Sequence, residues 1–159
     1  MSDFLVNPGL IFIFGAILVP ILAKPWRRTY LLIVPILALF YISQLEVGSL
    51  TEASYLGYNL ILLNVDRLNL VWGYIFCLAA LISFIFSFHQ DDRFQDTVAI
   101  LYAGSAVGAV FGGDLITLFI FWEFTAISSV FLILAGRTER AYLAGMRYLI
   151  IQIGSGVIL

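Results

Sequence analysis

Six apolar runs, separated by short clusters of charged and turn-forming residues, divide the chain at about 8–23, 29–45, 66–88, 95–111, 114–134 and 140–159. Each approaches the roughly 20 residues an α-helix needs to cross a bilayer at about 1.5 Å per residue. The first run ends at "KPWRR", Lys24–Arg28. The second, "TYLLIVPILALFYISQL", contains Pro35, which is expected to kink it. A polar stretch with Glu46, Glu52 and Asn59 follows. The third run opens on "NVDRLN", where Asn64 or Asp66 can cap a helix. The "GGD" of Gly112–Asp114 makes a tight turn, and Asp114 is placed to cap the fifth helix at the positive end of its dipole. The pattern predicts an all-α fold, a polytopic transmembrane bundle of six spanning helices in one domain.

Composition agrees on the solvent. The 159 residues are 62% hydrophobic, 16% aromatic and 11% charged, against about 25% charged in ordinary globular domains. So little charge cannot cover a water-facing surface, and the lipid bilayer is the expected surroundings. A net charge of −2 argues against a nucleic-acid partner. The single cysteine, Cys77, rules out a disulfide framework or a cysteine-based metal site within the chain. The N-terminus has no basic residues before its apolar stretch. It therefore reads as a retained first helix rather than a cleavable signal.

Loop charges set an orientation. Lys24, Arg27 and Arg28, then Arg93, then Arg137 and Arg140 fall in the first, third and fifth connections. Arg67, at the mouth of the third helix, is the basic residue on the opposite side. The positive-inside rule then puts both termini outside and those three connections in the cytoplasm. Two further features speak for a packed bundle. Gly104, Gly108 and Gly112 share one face of the fourth helix, where a neighbour can approach closely. In the sixth, Gln152 and Ser155 lie near one face and want partners inside protein rather than lipid.

Glu123 is the residue that resists a purely structural account. It lies nine residues inside the fifth run from Asp114, roughly 13 Å of rise, near the midplane of a hydrocarbon core about 30 Å thick. A carboxylate there must be protonated, paired or hydrated by an internal cavity. Two readings stand: a hydrogen-bonding Glu that ties helices together, or a group on a proton or ion path, with Thr125, Ser128 and Ser129 as candidates to hydrate it. Arg147 is the second charge inside a span. It can snorkel to the cytoplasmic surface, or face inward as a positive neighbour of Glu123. His89, Asp91, Asp92 and Asp96 read as a solvated cytoplasmic rim. No phosphate loop, nucleophile–base pair or metal-ligand cluster stands out, so no enzyme active site and no cofactor are expected.

"DLITLFIFWEFTAISSVFLI" resembles the fifth transmembrane helix of the antiporter-like subunits shared by respiratory complex I and Mrp-type cation/proton antiporters. "VDRLNLVWGYIFCLAALISFIFS" is similar to the family's third-helix opening, with Asn69 where the family has serine. "AGMRYLIIQIGSGVIL" resembles the start of its sixth helix. The resemblance covers helices three to six, and helices one and two agree in hydrophobicity and topology. It implies ion translocation in a bacterial plasma membrane, in which Glu123 works with a lysine on the family's seventh helix and Arg147 supports the Glu region. That lysine and the family's second, inverted half lie outside these 159 residues, so the resemblance implies the N-terminal part of a longer or split subunit. Other membrane subunits are therefore the expected partners and protons, with or without Na⁺, the cargo. The "MRYLIIQIGSG" detail favours the Mrp-type subunit over the complex I type. A structural or assembly subunit without its own transport is the reading from another class.

Overall fold

A computed structural model describes residues 5–55 and 57–158. Six helices form a bundle: α1 Gly9–Leu18, α2 Lys24–Ser43, α3 Arg67–Phe86, α4 Arg93–Phe111, α5 Leu115–Leu134 and α6 Glu139–Ile158. Four stretches, Lys24–Ser43, Arg67–His89, Arg93–Phe111 and Leu115–Leu134, are helical, long and apolar enough to cross a bilayer. From α3 onward the helices begin and end within about two residues of the apolar runs; Leu159 lies outside the described residues. Asp66 caps α3 as expected, its Oδ1 accepting from the Asn69 amide at 2.7 Å.

The first 65 residues depart from the expectation in three ways. Helix α1 has ten residues, about 15 Å, or half the thickness of a hydrocarbon core. Pro20 has no N–H to continue the ladder, and the Val19 amide turns back to the Ala16 carbonyl. Helix α2 starts at Lys24, five residues earlier than the second apolar run, with Pro25 in its first turn. Proline suits that place because the N–H it lacks would have no helical partner there. "KPWRR" is therefore helix rather than loop. The polar stretch is an antiparallel hairpin, β1 Leu50–Tyr55 and β2 Tyr58–Asn64, so the fold is a helix bundle with a small β-element rather than purely helical. Gly57, in the connection, takes φ +83°, a backbone that side-chain-bearing residues rarely adopt.

Helix α4 is the centre of the bundle, packed on by α1, α3 and α5. Its glycine face does what the spacing implies. Gly9 of α1 rests on the backbone of Gly104 and Gly108, Phe121 of α5 lies against Gly108, and Leu118 meets Gly112. Helix α2 covers α3, and Phe111 and Ile42 close over Gly73. Phe12, Val34, Ala38, Ile100, Val107 and Phe111 are among the buried core side chains.

The connections sort to two ends. At one, the Asn7 amide donates to the Leu62 and Gly108 carbonyls, both at 3.0 Å, tying the N-terminal segment to the hairpin and α4. Asp114 caps α5 through the amides of Ile116 and Thr117 at 2.8 and 2.9 Å, and its Oδ2 accepts from the Ile61 amide at 2.6 Å. Gly113 sits so close to Ile61 and Asn64 that no side chain fits there. At the opposite end lie the α1–α2, α3–α4 and α5–α6 connections. This is the grouping that the loop charges imply.

Candidate functional site

Glu123 lies in the α5–α6 seam. Its Oε1 is buried and accepts no hydrogen bond from the described residues. Directly opposite is Gly156 of α6, so close that even a methyl group there would strike Oε1. Buried carbonyl and carboxyl oxygens are nearly always satisfied, and the exception costs on the order of 1–3 kcal/mol, more if charged. A carboxyl held like this has an open position for a proton, a water or a cation.

The register of the seam separates Glu123 from Arg147. Gly145 of α6 meets Leu134, Tyr148 meets Ser129, and Gly156 meets Glu123. Arg147 is thus nine residues from the position opposite Glu123, about 13 Å along α6. It is exposed on the protein surface and forms no ion pair among the described residues. The inward reading of Arg147 as a neighbour of Glu123 does not match this geometry; antiparallel helices bring together residues whose positions sum to a constant, not merely residues of similar depth. Nor do the nearby hydroxyls reach Glu123. Thr125 donates to the Phe121 carbonyl at 2.9 Å and Ser128 to Phe124 at 2.6 Å, each turning back on its own helix. Ser155 does the same on α6, donating to the Gln152 carbonyl at 2.8 Å. Ser129 also turns back, donating to the Ala126 carbonyl at 2.6 Å, but its Oγ lies in addition 3.1 Å from the Tyr148 hydroxyl across the seam.

A second charged group, read from the sequence as loop and solvated rim, is partly buried. The Arg27 side chain is 1% exposed. Its Nε donates to Asp96 Oδ2 at 2.8 Å and an Nη to Asp91 Oδ1 at 2.5 Å. Lys24 reaches the other oxygen of Asp91 at 2.6 Å. The hydrogen bond from Lys24, followed by that from Arg27, holds the Asp91 carboxyl below the usual carboxylate range. Arg28 caps the carbonyls of His89 and Gln90 and lies over the Phe88 ring, 5.3 Å from its centroid. Arg137 pairs with Asp92 at 2.7 Å. Three connections are thereby stitched together; His89 and Asp91 keep the exposed rim positions expected for them, while Asp92 is half-buried and Asp96 buried. The signal was present in the sequence: Arg27, Leu31, Val34, Ala38 and Ile42 fall on one helical face, and all five are buried.

No protein-family model matches the chain, and no curated protein matches it.

Proposed function

We propose that the chain is a membrane subunit of a multisubunit monovalent cation (Na⁺)/proton antiporter, in which Glu123 takes up and releases protons. The buried, unpartnered Glu123 Oε1 midway along an apolar helix carries the reading. An intramembrane ionisable residue is a functional candidate by default, because lipid charges so much for it. The resemblance of "LFIFWEFTAISSVFLI" to the Glu-bearing helix of antiporter-like subunits supports the same role. In this reading the bundle sits in a bacterial plasma membrane with both termini outside, α1 reaching only part-way through, and Lys24, Arg27, Arg28, Arg93, Arg137 and Arg140 lie at the cytoplasmic side. The lysine-bearing helices of the translocation axis lie outside these residues.

The same resemblance extends to the membrane arm of complex I-like NADH:quinone oxidoreductases, where the subunit would pump protons without a redox centre of its own. A packing role is the reading from another class, and the tight Glu123–Gly156 contact is the observation in its favour. Glu123→Gln separates transport from packing, since the amide keeps the shape and removes the titration. In the assembled complex, in inverted membrane vesicles, transport is expected to be abolished while assembly is retained. Wild-type transport by the variant would overturn the proposal, and loss of assembly would point to packing.

A further inference from the structure

Tyr148, Gln152 and Gly156 recur at every fourth residue of α6, so they follow one another along a single face. Each meets α5 at a different level. Nearest the connection to α5, the Tyr148 hydroxyl bonds Ser129 across the seam. One turn on, Gln152 and Thr125 line a lateral groove of about 590 Å³, otherwise walled mainly by apolar side chains including Phe76 and Trp122. One turn further, Gly156 closes over Glu123 Oε1. Tyr148 lines the groove as well. Hydroxyl, amide and carboxyl are thus strung over about 12 Å of helix.

The groups at these levels suit proton passage. A hydroxyl both donates and accepts, and the Ser129 proton is shared between the Ala126 carbonyl at 2.6 Å and the Tyr148 oxygen at 3.1 Å. In the other direction the described part of α5 carries few polar groups. Between Asp114 and Glu123 the one polar side chain is Thr117, which is buried and already donates to Asp114 at 2.7 Å. Among the described residues of α5, the hydroxyls Thr125, Ser128 and Ser129 lie on the side of Glu123 toward the end where Arg27, Asp91 and Arg137 gather.

We infer that this face of α6 is the proton-access track of Glu123, with Tyr148 and Gln152 as positioning residues that hold water in the groove. The inference rests on the reading of Glu123 as a proton carrier. Along the track each oxygen receives one proton as it passes on its own. Only Glu123 changes protonation state, and no oxidant or reductant is required. Gly156 lets α6 close over the carboxyl and keeps it at the end of this track.

The experiment uses the assembled complex in inverted vesicles, with proton and Na⁺ movement followed across a range of pH in H₂O and D₂O. Tyr148→Phe removes the hydroxyl and keeps the ring; Gln152→Leu removes the amide. Each is expected to slow transport on the order of tenfold, less than the roughly 10²-fold for a group that itself transfers the proton, because water can bypass one side chain. The pH profile shifts and the D₂O effect grows, neither of which a packing defect would produce. If Glu123→Gln abolishes transport while Tyr148→Phe keeps the wild-type rate, pH profile and D₂O effect, the track is overturned and the role of Glu123 stands. If Glu123→Gln is silent, the role of Glu123 fails first. Should Gln152→Leu not assemble, the near-isosteric Tyr148→Phe decides alone.

Discussion

Breaking the Arg27–Asp96 pair is expected to destabilise the bundle more than any single change of a surface charge. The Arg27 side chain is 1% exposed and that of Asp96 11%, so neither group recovers hydration when its partner is removed. Loss of one member of a buried ion pair costs about 3–5 kcal/mol, because the charge left behind is uncompensated. Asp96→Ala should fall at the lower end, about 3 kcal/mol, since Arg27 keeps Asp91 as an acceptor and that carboxyl is 44% exposed. Arg27→Met keeps the stem in its apolar slot and strips Asp96 of its donor. The informative variant is the double, Arg27→Met with Asp96→Leu. Replacing both charges by apolar groups is often near neutral, so most of the single-site loss should return, with a coupling of at least about 3 kcal/mol. The measurement is denaturant or thermal unfolding of the purified protein in one micelle composition, with wild type, Arg27→Met, Asp96→Leu and the double compared as one cycle. Additive effects, or an Asp96→Ala cost under about 1 kcal/mol, would refute the reasoning, because an exposed pair behaves that way.

Two other outcomes follow from the packing at the opposite end and at the centre. Gly108→Val should loosen the bundle by about 1–3 kcal/mol, because the new branches would strike the Phe121 ring; cross-linking between cysteines placed on α1 and α4 would fall accordingly. Asp114→Ala should cost about 1 kcal/mol for the lost helix cap, and should also free the Ile61 amide, read as faster hydrogen exchange in β2. Burial raises the Asp114 carboxyl, yet the hydrogen bonds from Thr117, Ile61 and Ile116 together outweigh it and leave its pKa below the ordinary value. A depressed carboxylate contributes stability above its unfolded pKa, about 3.9, and loses it as pH falls through the folded value. Hairpin docking should therefore be insensitive to pH near neutrality and fail only in acid below that ordinary value. Loosening already at pH 6 would contradict this assignment.

How much of this was legible in the sequence depends on whether the deciding interaction is local. Helices α3 to α6, the Asp66 and Asp114 caps and the glycine face of α4 follow from residues within a few positions of one another, and the structure has them where the spacing puts them. The hairpin was hidden because β1 and β2 are held by each other and by Asp114, 53 residues from Ile61, rather than by strong strand propensity. Arg27 was hidden by its neighbours: Lys24 and Arg28 make a basic cluster, and the acid that buries it lies 69 residues away. For the candidate site, the sequence located Glu123 at mid-helix but could not supply the α5–α6 register. That register sets Gly156, not Arg147, against the carboxyl. Loop length constrains the register of two helices only loosely, and side-chain packing fixes it.

Asn7 carries a consequence for how the molecule is made. Its amide hydrogens go to carbonyls at Leu62 and Gly108, and the second of these emerges from the ribosome about one hundred residues after Asn7 itself. At 5–20 residues per second that is an interval of roughly 5–20 s. Helix α1, too short to match a full bilayer thickness, spends the interval without the seat on Gly104 and Gly108 that it finally occupies. The bundle is thus not completed in the order in which its helices are translated: its first helix must wait for its fourth before it can be seated.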